Sequence, residues 1–366
     1  MKYFSTFSGI GGFELGIKQA YEQIHNLGRS TESSDTKNRR HQPMSNDSNG
    51  NGGRTNPSCV GFSEIDKYAS QIYQSHFPNH KNYGDITKII AEDLPDFDLL
   101  VGGFPCQTFS IAGKRAGFED TRGTMFFELA RILRAKQPRL FVFENVKGLL
   151  SHDGGRTFAT IIQTLDELGY DCQWQVLNSK NHGVPQNRER VFIVGHSRGT
   201  SRPEVFPFGC SDETIGGNRS IPKVIARGGL QNNAGEMMER SPALTEAMGK
   251  GGGQTPIVAK IPEATKQGYA VAHEGDSINL SVPKSKTRRG RVGHGVAQTL
   301  DTGMQQHTLQ NSQIRRLTPT ECERLQGFPD GWTEGVSDTQ RYKTLGNAVT
   351  VNVIEDIFTK ILSGDN

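Results

Sequence analysis

The sequence predicts an α/β fold: a doubly wound, mostly parallel sheet carrying a smaller irregular domain. Three observations carry this. Strand-like apolar runs alternate with amphipathic helical runs up to about residue 196, the signature of a parallel sheet wrapped by helices. The first strand passes through a glycine turn directly into a helix. From 197 to 313 the alternation gives way to a block rich in Gly, Ser, Thr, Gln and Pro, after which helical patterning returns.

The elements follow in order. Tyr3 to Phe7 alternates and reads as a strand, Ser8 to Gly12 as a turn, and Phe13 to Ile24 as a helix, with apolar residues at Phe13, Ile17, Ala20, Tyr21 and Ile24. Residues 27–57 interrupt the pattern. Of these 31 residues, 19 are Ser, Thr, Asn, Gly or Asp, too polar to offset the entropy of ordering, so a disordered insertion is expected. The alternation resumes with a strand over Val60–Ser63, a helix over Lys67–His76, a strand over Leu99–Val101, a helix over Phe126–Lys136 and a buried strand over Leu140–Glu144. A helix over Thr157–Leu168 and strands over Gln173–Leu177 and Val191–Val194 complete it. Thr318-Pro319-Thr320-Glu321 is a capping box with proline at the first helical position, and Thr350–Leu362 closes the chain as an amphipathic helix.

Composition narrows the class. The chain has 366 residues, enough for a large α/β unit with a second, smaller one. No run approaches the roughly 18 apolar residues of a membrane span, and the start reads as a strand rather than a secretory signal, so a cytoplasmic protein without membrane contact is expected. The five cysteines are odd in number and form no C-x-x-C pair, which argues against a disulfide scaffold and a cysteine-built zinc site; no metal is expected. Residues 197–313 hold 14 Lys/Arg against 10 Asp/Glu, whereas the remainder holds 28 against 29. A polyanionic partner would meet the basic block, although an ordinary surface would also satisfy so small an excess.

Four motifs bear chemistry. The glycine turn brings backbone close to a ligand at a helix N-terminus, and Glu64 ends the next strand 52 positions after Gly12, or 21 with residues 27–57 set aside, where an acid holds ribose hydroxyls. Glu14 occupies the third glycine position of the dinucleotide pattern, which favours a nucleoside over a pyrophosphate ligand; a tight turn alone is the alternative. Gly103-Phe104-Pro105-Cys106-Gln107 follows a strand, where a stiff loop would expose Cys106 as a nucleophile unless it is a small buried hydrophobe. Glu144 ends an apolar strand, a setting for a proton donor or for a salt-bridged glutamate. Arg188 and Arg190, two apart on extended chain, point the same way and suit a phosphate or carbonyl oxygen, or else form a solvated edge.

In order and content these motifs closely resemble those of the DNA (cytosine-5)-methyltransferases of bacteria and phages. Phe7-Ser8-Gly9-Ile10-Gly11-Gly12 is similar to the family's cofactor loop, Pro105-Cys106-Gln107 to its nucleophile motif, Glu144-Asn145-Val146 to its acid motif and Gln186-x-Arg188-x-Arg190 to its arginine motif. Arg316 to Pro329 resembles the motif that buttresses the recognition domain, and Gly346-Asn347-Ala348-Val349 the C-terminal cofactor motif. The resemblance covers roughly residues 1–196 and 314–362; the 27–57 insertion departs from it.

The resemblance implies a Rossmann-like, S-adenosylmethionine-dependent methyltransferase fold. Residues 1–196 plus 330–366 would be catalytic and 197–329 target-recognising. Cys106 would add to carbon 6 of a flipped cytosine, Glu144 would donate to ring N3, and Arg188 and Arg190 would hold the base carbonyl and neighbouring phosphates, so that carbon 5 accepts the methyl group. The cofactor S-adenosylmethionine would be held by Phe7, Gly9, Gly11, Gly12, Glu64 and Ile65, with Asp85, Ile86, Pro105, Met125, Asn347 and Val349 completing the pocket. Double-stranded DNA would be met by Lys284, Lys286, Arg288, Arg289 and Arg291, and by Gln107, Ser110, Thr299 and Leu300. The enzyme would act as a monomer, as the modification arm of a restriction-modification system beside a separate endonuclease, or as a phage or orphan enzyme. A tRNA-methylating relative and a non-catalytic DNA-binding relative are the alternatives. A zinc deaminase is not, because Phe109 stands where the second cysteine of P-C-x-x-C belongs.

Overall fold

The computed structural model describes residues 1–32, 56–105, 125–200, 203–208, 258–281, 287, 289–303, 305–311 and 313–364, with the side chains of 26–32 excepted. In chain order its elements are β1 (Lys2–Thr6), α1 (Gly12–Glu32), β2 (Ser58–Ser63), α2 (Lys67–His76), β3 (Leu99–Gly103), α3 (Met125–Lys136), β4 (Leu140–Val146), α4 (Arg156–Glu167), β5 (Tyr170–Asn178), β6 (Gln186–Asn187) and β7 (Glu189–Ser197). There follow β8 (Ala259–Pro262), β9 (Tyr269–Ala272), β10 (Ser277–Asn279), β11 (Val292–Gly293), β12 (Ala297–Gln298), β13 (Gln306–Gln310), β14 (Gln313–Arg316), α5 (Pro319–Leu325), α6 (Asp338–Asn347) and α7 (Val351–Gly364).

The central sheet has the order β2-β1-β3-β4-β7-β5. The first four strands are parallel, and β7 runs antiparallel to both β4 and β5. Strands β3 and β4 are apolar almost throughout because both faces are covered. Successive side chains alternate between faces: Leu100, Phe141 and Phe143 join Phe126, Leu129 and Ile161 on one side, while Leu99, Val101, Leu140 and Val142 join Ile17, Ile354 and Phe358 on the other. Helices α3 and α4 therefore cover one face, and α1 and α7 the other.

Smaller sheets lie beyond β7. A four-stranded sheet has the order β11-β10-β13-β14, β8 and β9 form a hairpin, and β12 pairs in parallel with β6. Their own core is slight, with Ile261, Ala272, Ile278 and Leu309 buried together.

Strands β5 and β7 run several residues beyond the expected 173–177 and 191–194, and two further boundaries differ in ways that bear on the units. Helix α1 runs to Glu32 rather than Ile24, since a nucleated helix propagates through polar residues that contain no proline. Residues 27–32 of the expected insertion are thus helical, and 33–55 lie outside the described residues. Packing also redraws the second unit. Val205, Phe206 and Phe208 are buried against the α1/α7 face of the large sheet, and Leu317, Cys322, Leu325 and Phe328 are buried with Ile10 and Leu15. Both ends of 197–329 thus belong by packing to the large unit: a few large apolar side chains decide where a polar stretch docks.

Candidate active site

Strand register brings the motifs to one edge. Thr6 lies opposite Ser63 on one side and Gly102 on the other, and Gly103 lies opposite Glu144. In a parallel sheet the segments that follow β1, β2 and β3, Phe7–Gly12, Glu64–Ile65 and Phe104–Pro105, must leave together beside the last residues of β4, Glu144–Val146, at the carboxyl edge, where ligands of such sheets sit.

The glycine turn is built around Glu64. Phe7 and Gly9 have φ of 49° and 54°. The Gly9 N–H donates to Glu64 Oε2 at 2.8 Å, and the Asp66 N–H to Oε1 at 2.8 Å. Burial raises the Glu64 carboxyl above the usual glutamate value, while these two N–H groups oppose the shift. Asn82, a residue the motifs did not single out, braces the corner: its Oδ1 accepts from the N–H of Gly84 at 2.8 Å and of Glu64 at 3.3 Å, and its Nδ2 donates to Glu64 O at 3.1 Å. Asp85 accepts from the Thr87 N–H at 3.0 Å. Arg131 of α3 donates to the carbonyls of Ile86 and Ile89 at 2.9 and 2.7 Å. The Ile86 side chain is buried in the core, which leaves only its backbone for the expected cofactor contact.

The C-terminal motif closes on the same turn. A Cβ on Gly12 would stand 2.7 Å from Val349 Cγ1, so the close approach requires glycine there. Trp332 Nε1 donates to Ile10 O at 2.9 Å. Asn347 is exposed at the end of α6, and Met125 is half-buried beside the core that Phe7 also touches. Glu14 has a different task from its neighbours. It is fully buried, Tyr73 donates to its Oε1 at 3.0 Å, and the Tyr73 hydroxyl shares a second hydrogen bond with His80 Nδ1 at 3.0 Å. Burial pushes its carboxyl up to about 7.

The edge fits a nucleoside-bearing group. Ile65 is 75% exposed immediately after Glu64, and Pro105 is exposed across the edge. Nothing stands within 4 Å of where a Cβ on Gly9 would lie. An uncovered apolar side chain beside a carboxylate with lone pairs to spare can pack on an adenine and accept from ribose hydroxyls.

Pro105 is the last described residue before position 106; Cys106, Gln107 and Ser110 lie outside the described residues. The approach to them is fixed. Asn145 is buried and donates through Nδ2 to Phe104 O at 2.8 Å. Glu144 is ion-paired, Arg190 Nε standing 2.9 Å from its Oε1, a contact that fixes the carboxylate's orientation. Arg188 departs from expectation. Its guanidinium is buried and donates to Leu300 O at 3.4 Å and to Gly346 O and Ala348 O at 3.3 and 2.8 Å. Burial, and then the charge of Arg190, lower its pKa to about 9, with Glu144 opposing. Its amino groups are taken up by those three carbonyls, whereas Arg190 is paired with Glu144, so the two guanidinium groups hold different partners.

The expected DNA contacts divide similarly. Lys284, Lys286 and Arg288 lie outside the described residues. Arg289 is exposed and donates to Ala264 O at 2.8 Å. Arg291 is 1% exposed and donates to Asn279 O and Ser281 O at 3.3 and 3.1 Å. It ties β10 to β11, so its side chain is engaged inside the small sheet rather than presented at the surface. Leu300 is likewise corrected: its side chain is buried in the core with Ile10 and Leu345. Thr299 is half-exposed and donates through Oγ1 to Asn187 O at 2.7 Å.

Among the described residues no cluster of His, Cys, Asp and Glu could hold a metal ion, and no helix is long and apolar enough to cross a membrane. Residues 1–363 match the family described as C-5 cytosine-specific DNA methylase. The chain belongs to that family. The C-5 cytosine-specific DNA methylases implied by this match use S-adenosylmethionine and act on DNA. Among curated members, the Type II methyltransferase M.NgoBI of Neisseria gonorrhoeae is 40% identical over 355 residues, 97% of this chain and 90% of the relative. The Type II methyltransferase M1.ScrFI of Lactococcus lactis subsp. cremoris is 40% identical over 303 residues, 82% of this chain and 71% of the relative. The solved S. pombe Dnmt2 methyltransferase shares the fold, with a TM-score of 0.57 at 17% identity, covering 100% of this chain and 99% of that one. The methylase family supplies the reaction, methylation of carbon 5 of cytosine in DNA; the Type II relatives favour DNA over the tRNA alternative.

Proposed function

We propose that this methylase forms its covalent adduct through Cys106, with Glu144 as the proton donor to ring N3 and Arg190 as the group that orients Glu144. The observation that carries the reading is the register of Gly103 opposite Glu144 with Arg190 held on that carboxylate at 2.9 Å, which sets an acid directly beside the exit of β3 toward Cys106. Carbon 5 of cytosine is a weak nucleophile. Addition of the Cys106 thiolate to carbon 6, with a proton from Glu144 to N3, turns the ring into an enamine whose carbon 5 can attack an electrophilic methyl. Loss of the carbon 5 proton to water then expels the thiolate, and return of the N3 proton to Glu144 restores the neutral ring and the acid. S-adenosylmethionine supplies that methyl as a sulfonium when bound, and Phe7, Gly9, Glu64, Ile65, Asp85 and Val349 are the residues that would hold it. Asn145 positions the nucleophile loop by fixing Phe104 O.

The base must leave the duplex stack, at a cost of a few kcal/mol, before the sulfur can reach it. We place target reading in the small sheets and the basic block around 284–289, whose phosphate contacts would offset part of that cost. The enzyme would work as a monomer in the cytoplasm of a bacterial cell, beside a separately acting endonuclease or as an orphan.

Bisulfite sequencing of DNA from cells expressing the chain tests this reading directly. The wild type leaves cytosines protected at one short sequence, and Cys106→Ser and Glu144→Gln lower protection by at least about a hundredfold, the usual range for a nucleophile or general acid. A Cys106→Ser protein that protects DNA normally would refute the assignment.

A further inference from the structure

Leu300 is held at both ends of its peptide by one short segment. Gln186 Oε1 accepts from the Leu300 N–H at 3.1 Å, and Arg188 donates to Leu300 O at 3.4 Å. Between them Thr299 Oγ1 donates to Asn187 O at 2.7 Å, and β12 ladders onto β6. The strap Thr299–Thr302 is therefore bound along the chain that leads to Arg190 and Glu144. Its far side rests on the C-terminal cofactor motif: a Cβ on Gly346 would stand 2.7 Å from the Asp301 carbonyl carbon and oxygen and 2.8 Å from Thr302 N. The second amino group of Arg188 reaches across to Gly346 O and Ala348 O. Gln326 completes the joint from below, donating to Leu345 O at 2.8 Å and accepting from Thr350 Oγ1 at 2.8 Å.

We infer that Arg188 is a positioning residue that ties the target-reading unit to the Gly346–Val349 cofactor turn, so that DNA binding and cofactor binding are energetically linked through Leu300, Arg188 and Ala348. The inference rests on the reading that the small sheets meet DNA and that Val349 faces the cofactor. A guanidinium is planar and its two amino groups keep a fixed separation. One amino group holds a carbonyl of the strap and the other holds carbonyls of the turn, so a displacement of either is passed to the other. A buried cation also cannot release its acceptors without leaving charge or carbonyls unpaired. Linkage of this kind is reciprocal: if DNA tightens the cofactor, the cofactor tightens DNA by the same factor.

The test is calorimetric titration of S-adenosylhomocysteine into the full chain, with and without sheared, unmethylated genomic DNA, alongside KM for both substrates and kcat. In the wild type the two dissociation constants differ. In Arg188→Met that difference collapses toward unity, and both KM values rise about tenfold, as loss of a charge-assisted hydrogen bond predicts, while kcat falls less. Arg188→Lys, a single point charge, recovers only part of the difference. A folded Arg188→Met with the wild-type ratio overturns the inference, as does a wild type whose S-adenosylhomocysteine affinity ignores DNA. Should Arg188→Met not fold, Gly346→Ala carries the test: it sits in a helix where alanine is favoured, it leaves Arg188 in place, and its methyl displaces the strap. The same collapse is expected, and an unchanged ratio overturns the inference. A wild type that binds no S-adenosylhomocysteine at all instead defeats the proposed cofactor site, and the linkage with it.

Discussion

At the scale of single residues, burial separates groups with chemistry to do from groups that only look reactive. Glu14 is buried on the α1 side of the glycine turn, faced by Tyr3, Cys59 and Tyr73, with His80 beyond Tyr73. Burial disfavours its charge, so its pKa in the folded chain lies above its unfolded value. The stability this contributes is complete below the ordinary glutamate range and is lost as pH rises through about 7. Glu14→Gln should therefore flatten the fall in stability over that window and gain on the order of 3 kcal/mol at about pH 8, measured by denaturant unfolding; equal slopes in both proteins would count against it. Thiols follow the same rule. Burial pushes Cys59 and Cys172 up to about 12 and raises Cys322 still further. Thiolate is the reactive form, so a brief alkylation near neutrality should spare these three, as read by peptide mass spectrometry, and loss of activity should track modification of Cys106.

At the scale of elements, each motif depends on neighbours that carry no signature of their own. Asn82, Arg131 and Trp332 hold the corners that carry Glu64, Ile86 and Ile10. Trp332→Phe keeps the ring but loses the donor to Ile10 O. It should raise KM for S-adenosylmethionine several-fold with little change in KM for DNA, a split that steady-state kinetics reads directly. Arg291 illustrates the reverse case. Its position in a basic run suggests phosphate contact, yet it closes β10 onto β11 from inside. Arg291→Ala should lower the melting temperature, as expected when about 3 kcal/mol of buried hydrogen bonding to a charged group is removed. It should leave the salt slope of DNA binding unchanged; a slope reduced by about one would restore Arg291 to the phosphate contacts.

At the scale of the whole molecule, two sheet systems share one joint, and the division between them follows packing rather than composition. Phe206 and Phe208 lie in a Pro- and Gly-rich stretch but are buried against the α1/α7 face, where Lys360 donates to the carbonyls of Val205 and Pro207. Phe206→Ala should destabilise the large unit by about 3 kcal/mol, the usual cost of a buried aromatic. Differential scanning calorimetry would show this as a lowered transition of the large sheet; an unaffected transition would return 203–208 to the recognition unit.

Local patterns and the family can be read from the order of residues. Alternating strands and helices, the glycine turn, the capping box at Thr318 and the ordered motifs are legible because each rests on spacing within one segment, and strand and helix periods are properties of the backbone. Which partner each charged group takes follows from the fold instead. Arg188, Arg190 and Arg291 are the same residue type in similar polar surroundings in sequence. One is buried among three carbonyls, one is paired with Glu144, and one closes a hairpin. A guanidinium's role depends on which acceptors long-range packing brings within about 3 Å, and nothing in the neighbouring residues encodes that distance.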